Sequence, residues 1–473
     1  MNVFHAGMKK PRFFAWNRRG ILHVVDMTTE NVVALPDRDN DGVADTSYIA
    51  AQGVKLAHSL IFVKDTLLVA EPTRVLRFLD RDNDGVYESR SVFLDSIPDG
   101  GVFNHYTRTL VYDSTQKAYF LSVGAPCDAC RADNPERAAI LRFNADGSGR
   151  RIFAQGLRNA IGLAIEPATG LLWATNADRN GLGATKPEEI ITTVPDGSFH
   201  GWPLAYSTTQ SPDASGGTIQ TAWSNFQANA DYRAMLPIAT ADSMQVAGMK
   251  RAEALLPSRS TPMGIVFCST PNLPPLYRNA AFIAVHGSYN ADSRPTAAGY
   301  NVVMMRRDAA SGGFILNDFL TGFLTDAAQY KYWGRPCGIG FSPQGDLYVS
   351  SDWDIAGMYR ISFDTKAFSQ ANTAPNGDFS STMFPQPATS NDAVWLDFTA
   401  SAGGSATCTI FDVRGAELAR LNASAEAGSN TLNLSEHLQR QGIVLQNGIY
   451  FYRLALTQNA AVTVSRGKFC VVR

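Results

Sequence analysis

The chain has 473 residues, more than one hydrophobic core usually holds, so we expect two folded units. Its 41 basic and 43 acidic residues leave a formal net charge of −2, which argues against a nucleic-acid-binding surface or a polybasic membrane anchor. No apolar run is long enough to span a bilayer, so we predict no transmembrane segment.

A charged side chain followed by an apolar strand recurs along most of the chain. The segments begin at Arg12 (PRFFAW), His58 (HSLIFV), His105 with Arg108 (HYTRTLVY), Arg158 (RNAIGLAI) and Arg335 (RPCGIGF), with a fainter copy at Thr261 (TPMGIVF). A turn and a second strand follow most of them, and usually a third strand. Several short strands repeated about every 45 residues are typical of β-propeller blades. We therefore predict an all-β fold with a six-bladed propeller over residues 1–366.

The first residues of these repeats predict where a site is built. In a propeller, the innermost strand of each blade lines a central channel, so equivalent positions converge on one axis. Arginine and histidine side chains from distant parts of the sequence should therefore meet at one mouth of the channel.

Two parts of this region depart from the repeat. Residues 203–260 read as a long insertion between blades, with a helical piece around Asp242 to Ala254. Little sequence stands ahead of Arg12, so we expect both a signal peptide and the strand that would close the ring to be absent from this chain.

Two acidic loops share one spacing of oxygen-bearing side chains, with glycine at the sixth position (DRDNDGVAD and DRDNDGVYE). Their carboxylates are Asp37, Asp39, Asp41 and Asp45 in the first loop and Asp80, Asp82, Asp84 and Glu88 in the second. Calcium prefers six to eight oxygen ligands, and this spacing curls carboxylates around one point. Neither loop has glutamate at the twelfth position. A structural calcium site and a plain Asp/Asn/Gly turn between blade strands both remain open.

Of the six cysteines, Cys127 and Cys130 form a CxxC segment. Zinc in a structural site takes four ligands, and no second pair of this spacing is present. A local disulfide is the alternative, provided that the protein is exported to an oxidising compartment.

The chain changes character after the last repeat. Residues 367–391 are rich in Ser, Thr, Asn, Pro and Gly, a composition typical of a linker. Alternating strand patterns return over residues 392–473 and predict a small β-sandwich.

Several segments, in this order, resemble the soluble glucose/sorbosone dehydrogenases that use pyrroloquinoline quinone (PQQ): HYTRTLVY, CDAC, AAILRFNADGSG, GLRNAIGLAIEPATG, LGATKPEEI, HGWP, HGSYN and WGRPCGIGF. The resemblance runs from about Pro11 to Ile361. It implies a six-bladed propeller that binds PQQ with calcium over the channel. It also implies oxidation of an aldose or related sugar, with hydride transfer to the quinone and electrons passed to an external acceptor.

The resemblance also implies roles for individual residues. His105 aligns with the general base that takes the proton of the sugar's anomeric hydroxyl. Arg158 and Asn159 align beside the reactive quinone carbonyl, and Arg335, His286 and His58 fall where cofactor contacts are expected. Gly183 and Ala184 fall where two backbone carbonyls bind the cofactor's calcium.

The chain departs from this family at two places. The glucose enzymes have an aspartate behind the catalytic histidine, whereas this loop reads Gly124-Ala125-Pro126-Cys127, with Asp128 nearby. Residues 257–261 (PSRST) replace a histidine found in sorbosone-type relatives. The substrate should therefore not be assumed to be glucose. A catalytically inactive propeller that binds a carbohydrate or a protein is the alternative interpretation.

The C-terminal segments IFDVRGAELARL, NGIYFYRLAL and KFCVVR resemble the sorting domain of type IX secretion cargo. That resemblance implies recognition by the type IX secretion machinery. The protein would then pass through the periplasm and be secreted or held at the cell surface. A generic sandwich for carbohydrate or protein contact is the alternative.

Overall fold

The computed structural model describes residues 1–99, 105–180, 184–207, 219–221, 240–270, 273, 277–288, 296–308, 312–363, 381–384, 388–389, 394–412, 416–445, 448–459 and 461–472. The chain divides into two compact units, residues 1–363 and 364–473. Among the described residues, no helix is long and apolar enough to cross a membrane.

The described part of the first unit contains six four-stranded antiparallel sheets, whose strands are numbered in chain order. The first sheet contains β2 (Pro11–Trp16), β3 (Leu22–Asp26), β4 (Asn31–Leu35) and β5 (Tyr48–Gln52). The second contains β6 (Ser59–Val63), β7 (Thr66–Ala70), β8 (Val75–Leu79) and β9 (Ser89–Leu94). The third contains β10 (Leu110–Asp113), β11 (Ala118–Val123), β12 (Ala139–Asn144) and β13 (Arg151–Gln155). The fourth sheet contains β14 (Ala160–Ile165), β15 (Leu172–Asn176), β16 (Glu189–Thr193) and β19 (Ala254–Leu256). The fifth contains β20 (Pro262–Phe267), β21 (Ala281–Val285), β22 (Asn301–Arg307) and β23 (Phe314–Leu320). The sixth contains β26 (Pro336–Phe341), β27 (Leu347–Ser351), β28 (Gly357–Ile361) and β1 (Asn2–Ala6).

The first strands of the six sheets form a closed ring. Each contacts the first strand of the next sheet, in the order β2, β6, β10, β14, β20, β26 and back to β2. The connection between β16 and β19 within the fourth sheet contains a hairpin of β17 (Ala205–Ser207) and β18 (Ile219–Thr221) and the helix α1 (Thr240–Ala247). A hairpin of β24 (Leu324–Asp326) and β25 (Lys331–Tyr332) precedes the sixth sheet. The prediction of an all-β propeller fold is confirmed.

Two expectations about this unit were wrong in detail. The N-terminal strand β1 does close the ring, because it pairs antiparallel with β28, from Asn2 opposite Arg360 to Ala6 opposite Gly357. The helix in the insertion ends at Ala247 instead of continuing to Ala254. Ala254–Leu256 is the outer strand of the fourth sheet, where Leu256 pairs with Glu189. Alternating burial of Ala252, Ala254 and Leu256 has the strand period of two.

Hydroxyl side chains join neighbouring sheets where the first strands are irregular. The register shifts between Ala160 and Gly162, and there the Thr175 hydroxyl accepts a hydrogen bond from Gly162 N–H (2.9 Å) and donates to the carbonyl of Met263 on the next sheet (2.6 Å). A Cβ at Gly162 would lie 2.0 Å from that carbonyl oxygen, so glycine permits the close approach.

The same bridge occurs where the ring closes, since Ser350 Oγ accepts from Gly338 N–H (2.7 Å) and donates to the Arg12 carbonyl (2.7 Å). Ser59 likewise donates to the Arg108 carbonyl (2.9 Å).

Below the mouth, apolar side chains from the first strands fill the axis. Phe13, Ile161, Met263 and Cys337 form one buried cluster together with Ala177. The axis is therefore packed by side chains at this level, and the polar side chains at the strand starts lie above an apolar floor.

The second unit is a two-sheet β-sandwich. A three-stranded sheet contains β29 (Ser381–Phe384), β31 (Trp395–Ala400) and β34 (Gly428–Asn433); a five-stranded sheet contains β30 (Ala388–Thr389), β36 (Ala461–Val472), β35 (Gly448–Gln458), β32 (Gly404–Phe411) and β33 (Glu417–Ala425); the helix α2 (Leu434–Arg440) follows β34. Both sheets contribute to one core, for example Leu396 and Phe398 from one and Leu454 and Phe469 from the other.

The predicted linker, residues 367–391, extends too far. Ser381–Phe384 and Ala388–Thr389 are strands of the sandwich, and Met383 is buried in its core. Their Ser, Thr and Pro content resembles a linker and hides a short alternating strand.

We expect the substitution Thr175→Val to lower the free energy of unfolding by about 1–3 kcal/mol, because it leaves buried Gly162 N–H and Met263 C=O groups unpaired. Chemical denaturation followed by far-UV circular dichroism measures this. Thr66→Val is the matched control, since the Thr66 hydroxyl makes no hydrogen bond among the described residues. An equal loss of unfolding free energy in the two variants would show that the hydroxyl bridge does not stabilise the contact between the fourth and fifth sheets.

Candidate functional site

The mouth of the ring collects two sets of side chains. Antiparallel pairing places the end of each second strand beside the start of the first strand, as with Pro336 opposite Ser351 and Pro262 opposite Val285. Residues just before a first strand and just after a second strand therefore share this end of the ring.

His105 is fixed by two backbone contacts. Its ring Nδ1 lies 2.7 Å from the Ala125 carbonyl oxygen, and its own carbonyl accepts a hydrogen bond from Arg108 Nη1 (2.6 Å). A carbonyl oxygen only accepts, so Nδ1 carries the proton and Nε2 is left with a lone pair. Burial, followed by the charge of Arg158, lowers the pKa of His105 to about 3, so the imidazole is neutral at ordinary pH.

Asn159 lies close to His105. A Cβ built on Gly124 would lie 2.5 Å from His105 Cβ and 2.7 Å from Asn159 Oδ1. Glycine at this position therefore lets the histidine and the amide approach each other. Thr107 Oγ1 lies 3.4 Å from the same Asn159 oxygen.

Arg158 is buried and held by polar contacts with Asp128 and Asp178. Its Nη2 lies 2.9 Å from Asp128 Oδ1, its Nε donates to the Asp128 carbonyl (3.2 Å), and its Nη1 donates to the Asp178 carbonyl (3.0 Å). The Asp128 carboxylate also lies 3.3 Å from Arg179 Nη2 and accepts a hydrogen bond from Asn180 N–H (2.8 Å). Asp128 therefore positions arginines rather than His105.

The two cysteines that flank Asp128, Cys127 and Cys130, form a disulfide. Of the two alternatives left by the CxxC segment, the structure has the disulfide and not a zinc site.

A second polar cluster has Asp352 at its centre. This buried carboxylate forms an ion pair with Arg12 and a hydrogen bond with His286, whose Nε2 lies 2.6 Å from Asp352 Oδ1. Arg12 in turn donates to His58 Nδ1 (3.2 Å from Nε). Burial lowers the pKa of His286 to about 4, and burial together with the Arg12 charge holds that of His58 well below 6.5. Arg12 also interacts electrostatically with Tyr106, the neighbour of His105, so both clusters lie at one mouth.

His58 has a ring nitrogen that no described residue contacts by a hydrogen bond. Since Nδ1 accepts from Arg12, the neutral ring carries its proton on Nε2. Nε2 is buried, with no hydrogen-bond partner among the described residues. A buried N–H without a partner costs free energy, and an acceptor bound at this point would recover it.

Arg335 is held by backbone carbonyls and lies against two aromatic rings. Its Nε donates to the His286 carbonyl (3.1 Å) and its Nη2 to the Gly287 carbonyl (2.6 Å). Its guanidinium carbon lies 5.5 Å from the Tyr300 ring centre and 5.7 Å from that of Tyr332. Only Nη1 remains without a hydrogen bond among the described residues.

Positive charge dominates this end of the ring. Among the described residues seven arginines are buried, at the mouth or directly behind it: Arg12, Arg108, Arg137, Arg158, Arg179, Arg259 and Arg335. The buried carboxylates among them are Asp128, Asp178, Glu189 and Asp352. Burial raises the pKa of Asp178 to about 6 and that of Glu189 to about 8, which reduces the negative charge further. Such a mouth favours an anionic ligand.

The predicted calcium ligands belong to two groups, the backbone carbonyls predicted for the cofactor's calcium and the carboxylates of the acidic loops. Gly183 lies outside the described residues, and Ala184 is half-buried. In the acidic loops, carboxylate oxygens of Asp37, Asp39 and Asp45 lie within 4.8 Å of one another, as do those of Asp80, Asp82 and Glu88.

Asp41 and Asp84 instead accept backbone hydrogen bonds from Val43 and Val86 (2.8 and 2.7 Å), and they are not in these groups. Both acidic loops connect the outer two strands of their sheets, β4–β5 and β8–β9. We therefore interpret them as structural features away from the mouth.

Sequence reasoning missed the carboxylates at the mouth. Asp178 and Asp352 follow second strands and were not among the predicted site residues, and Asp128 was named only as a carboxylate near the loop behind His105. The available signal was an acidic residue within two positions after some of the second strands, as in LYVSSDW and LWATNAD.

The ring of four-stranded sheets with a polar mouth defines a β-propeller of the kind seen in quinoprotein sugar dehydrogenases. The chain matches the TrAA12-like family over residues 1–359 and belongs to that family. The resemblance drawn from the sequence is confirmed at this level.

Solved structures support the fold. A carbohydrate-active enzyme family AA12 protein from Trichoderma reesei is 18% identical, over 76% of this chain and 94% of that one, with a TM-score of 0.62. The PQQ domain of pyranose dehydrogenase from Coprinopsis cinerea, in its holo form, is 20% identical over 75% and 93%, with a TM-score of 0.59. The soluble aldose sugar dehydrogenase from Escherichia coli is 15% identical over 76% and 98%, with a TM-score of 0.52.

A curated relative from Borreliella burgdorferi, described as an uncharacterized protein, is 24% identical over 263 residues. The match covers 55% of this chain and 61% of that protein's length.

Proposed function

We propose that this protein is an exported dehydrogenase that oxidises an aldose or related sugar with PQQ and calcium, with His105 as the general base. The observation that carries the proposal is the setting of His105. A neutral imidazole with its tautomer fixed lies beside Asn159 and Arg158, at a mouth that favours an anion.

The residues at the mouth fit PQQ, whose carboxylates require cationic and N–H donors. Among the described residues His58 Nε2 is a buried donor without a partner, and Arg335 Nη1, just ahead of β26, is a second donor without a hydrogen bond. With His286, Arg158 and Asn159 they form the set that would hold the cofactor. When bound, the quinone with its calcium, for which the Ala184 carbonyl is a proposed ligand, supplies the hydride acceptor.

The chain's own residues perform the proton chemistry. His105 Nε2 accepts the proton of the sugar hydroxyl, while the Nδ1 contact with Ala125 keeps the ring oriented. The guanidinium of Arg158, fixed by Asp128, stabilises negative charge that develops beside it. The pKa of His105 rises when negative charge is placed near Arg158, because the arginine's field is then offset.

The partners follow from this chemistry. The printed names of the neighbours, pyranose dehydrogenase and aldose sugar dehydrogenase, support a sugar as the small-molecule substrate. A reduced cofactor must be reoxidised, so the protein requires an external electron acceptor. The structure supports no particular sugar.

A binding module without catalysis is the alternative, and one observation favours it. His105 has a carbonyl behind it in place of a carboxylate, and its low pKa makes it a weak base. Reconstitution of the purified protein with calcium and PQQ, followed by dye reduction with a panel of aldoses, separates the two functions. Sugar binding without cofactor binding or dye reduction would support the binding module.

If the reconstituted protein is active, we expect His105→Ala to lower kcat by about two to four orders of magnitude, since it removes the proton acceptor. His200→Gln is the control, because His200 is a buried histidine bonded to Ser198 outside the mouth. Steady-state kinetics at saturating cofactor measures both variants. Turnover retained by His105→Ala would refute the assignment of the base.

The two acidic loops are proposed structural calcium sites. Supporting evidence is the convergence of Asp37, Asp39 and Asp45, and of Asp80, Asp82 and Glu88. Asp37 Oδ1 and Asp80 Oδ1 are also buried without a hydrogen-bond partner among the described residues. A bound calcium ion would satisfy both oxygens.

We expect calcium at about 100 times its dissociation constant to stabilise the protein by about 2.7 kcal/mol per occupied site, because the ion binds the folded state. Thermal unfolding of the cofactor-free protein with calcium or with chelator measures this. The effect should disappear in the double variant Asp37→Asn, Asp80→Asn and persist in Asp65→Asn, whose exposed carboxylate pairs with Arg18. A calcium shift that survives the double variant would exclude these loops.

We propose that the C-terminal sandwich is a type IX sorting domain, and that the protein reaches the periplasm and then the cell surface or medium. The disulfide between Cys127 and Cys130 supports an oxidising compartment. Removal of residues 364–473 should leave the propeller inside a host that has the secretion machinery, as measured by cell fractionation. Fusion of the same residues to a periplasmic reporter should carry it outside. Export of the truncated chain would contradict the proposal.

A further inference from the structure

The carbonyl behind His105 receives a second donor, and that donor is a buried arginine. Arg137 Nη2 donates to the Ala125 oxygen over 2.9 Å, and His105 Nδ1 lies 2.7 Å from the same atom. Ala125 N–H donates to the Arg158 carbonyl (2.7 Å). The Ala125 backbone is therefore bonded through both its N–H and its C=O.

Arg137 is well placed for a permanent contact. It is buried, stands just ahead of β12, and its own N–H donates to the Asn134 carbonyl (3.0 Å). The chain holds both sides of His105 with arginines in this way, since Arg108 Nη1 bonds the carbonyl of His105 itself (2.6 Å).

We propose that Arg137 is a positioning residue for His105, which it orients through the Ala125 carbonyl so that Nε2 faces the substrate as the proton acceptor. The inference rests on the proposed function for its catalytic meaning. The tautomer and the orientation of the His105 ring can be measured in the cofactor-free protein.

A carbonyl that accepts a charge-assisted bond from a guanidinium is held in one direction, so the imidazole N–H that shares it is held as well. The shared carbonyl has less negative charge to offer His105, and the guanidinium lies near the ring. Both effects disfavour the imidazolium form, which has one more positive charge.

Four charged groups act on or contact His105. Arg158 and Arg137 lower its pKa, and Asp128 raises it. Arg108 contacts its backbone carbonyl. Removal of Arg137 alone therefore takes away one lowering influence and leaves the other three in place, so the pKa of His105 should rise.

The test uses the full-length, cofactor-free protein with ¹⁵N-labelled histidine. The His105 signals are identified by their loss in His105→Gln. In the wild type we expect a neutral ring protonated on Nδ1, with no imidazolium at pH 5. In Arg137→Met we expect the pKa to rise by about one unit or more, and a second population protonated on Nε2 to appear. Arg137→Lys should restore most of the wild-type spectrum, because it returns a charged donor.

Arg131→Met is the matched control, because Arg131 lies in the same loop but is partly exposed and pairs with Asp242 (2.8 Å). It should leave His105 unchanged. If the loaded enzyme is active, Arg137→Met should lower kcat by about 10- to 100-fold, with a smaller change in KM.

Three outcomes would overturn the inference: a wild-type ring protonated on Nε2, a His105 titration and tautomer unaffected by Arg137→Met, or an equal effect of Arg131→Met. If Arg137→Met does not fold, Arg137→Gln and Arg137→Lys test the same two readouts. A wild type that oxidises no sugar would remove the proposed function while the spectra still decide whether Arg137 orients His105.

Discussion

The hydroxyl bridge between neighbouring sheets is the interaction on which the site depends. A propeller has no single core, so adjacent sheets must be held in register at the axis. Thr175 and Ser350 do this with one atom each, accepting an irregular N–H of their own sheet and donating to the next. Because the bridges lie at the strand starts, they fix the positions from which Arg158 and Arg335 project.

Pairing of buried charge is the second constraint. A guanidinium removed from water costs several kcal/mol unless it is paired and hydrogen-bonded. Asp128 and Asp352 meet that need for Arg158 and Arg12, so the mouth can hold its arginines before any ligand arrives. A ligand therefore meets side chains that are already oriented. This preorganisation is what a site for developing negative charge requires.

Part of this arrangement was predictable from sequence, because side chains at the starts of first strands repeat with the blades. That regularity predicted the ring and the shared location of His105, Arg158 and Arg335. The partners of these residues were not predictable from the same signal. Asp352 and Ala125 reach the mouth from second strands, and Asp128 and Arg137 from the connection that follows one of them, so their positions depend on loop conformation. The strand Ser381–Phe384 was also not predicted, because its surroundings have the composition of a linker.

The replacement of a carboxylate by a carbonyl behind His105 connects these constraints. A carboxylate would stabilise the imidazolium and keep the histidine basic in the empty mouth, whereas the Ala125 carbonyl, shared with Arg137, stabilises it much less. Burial and Arg158 then make the ring a poor proton acceptor on its own. Negative charge bound among the arginines offsets the Arg158 charge and so raises the pKa of His105, while the effect of burial remains. For the proposed general base, an anion at the mouth would therefore make His105 a better proton acceptor than it is in the empty mouth.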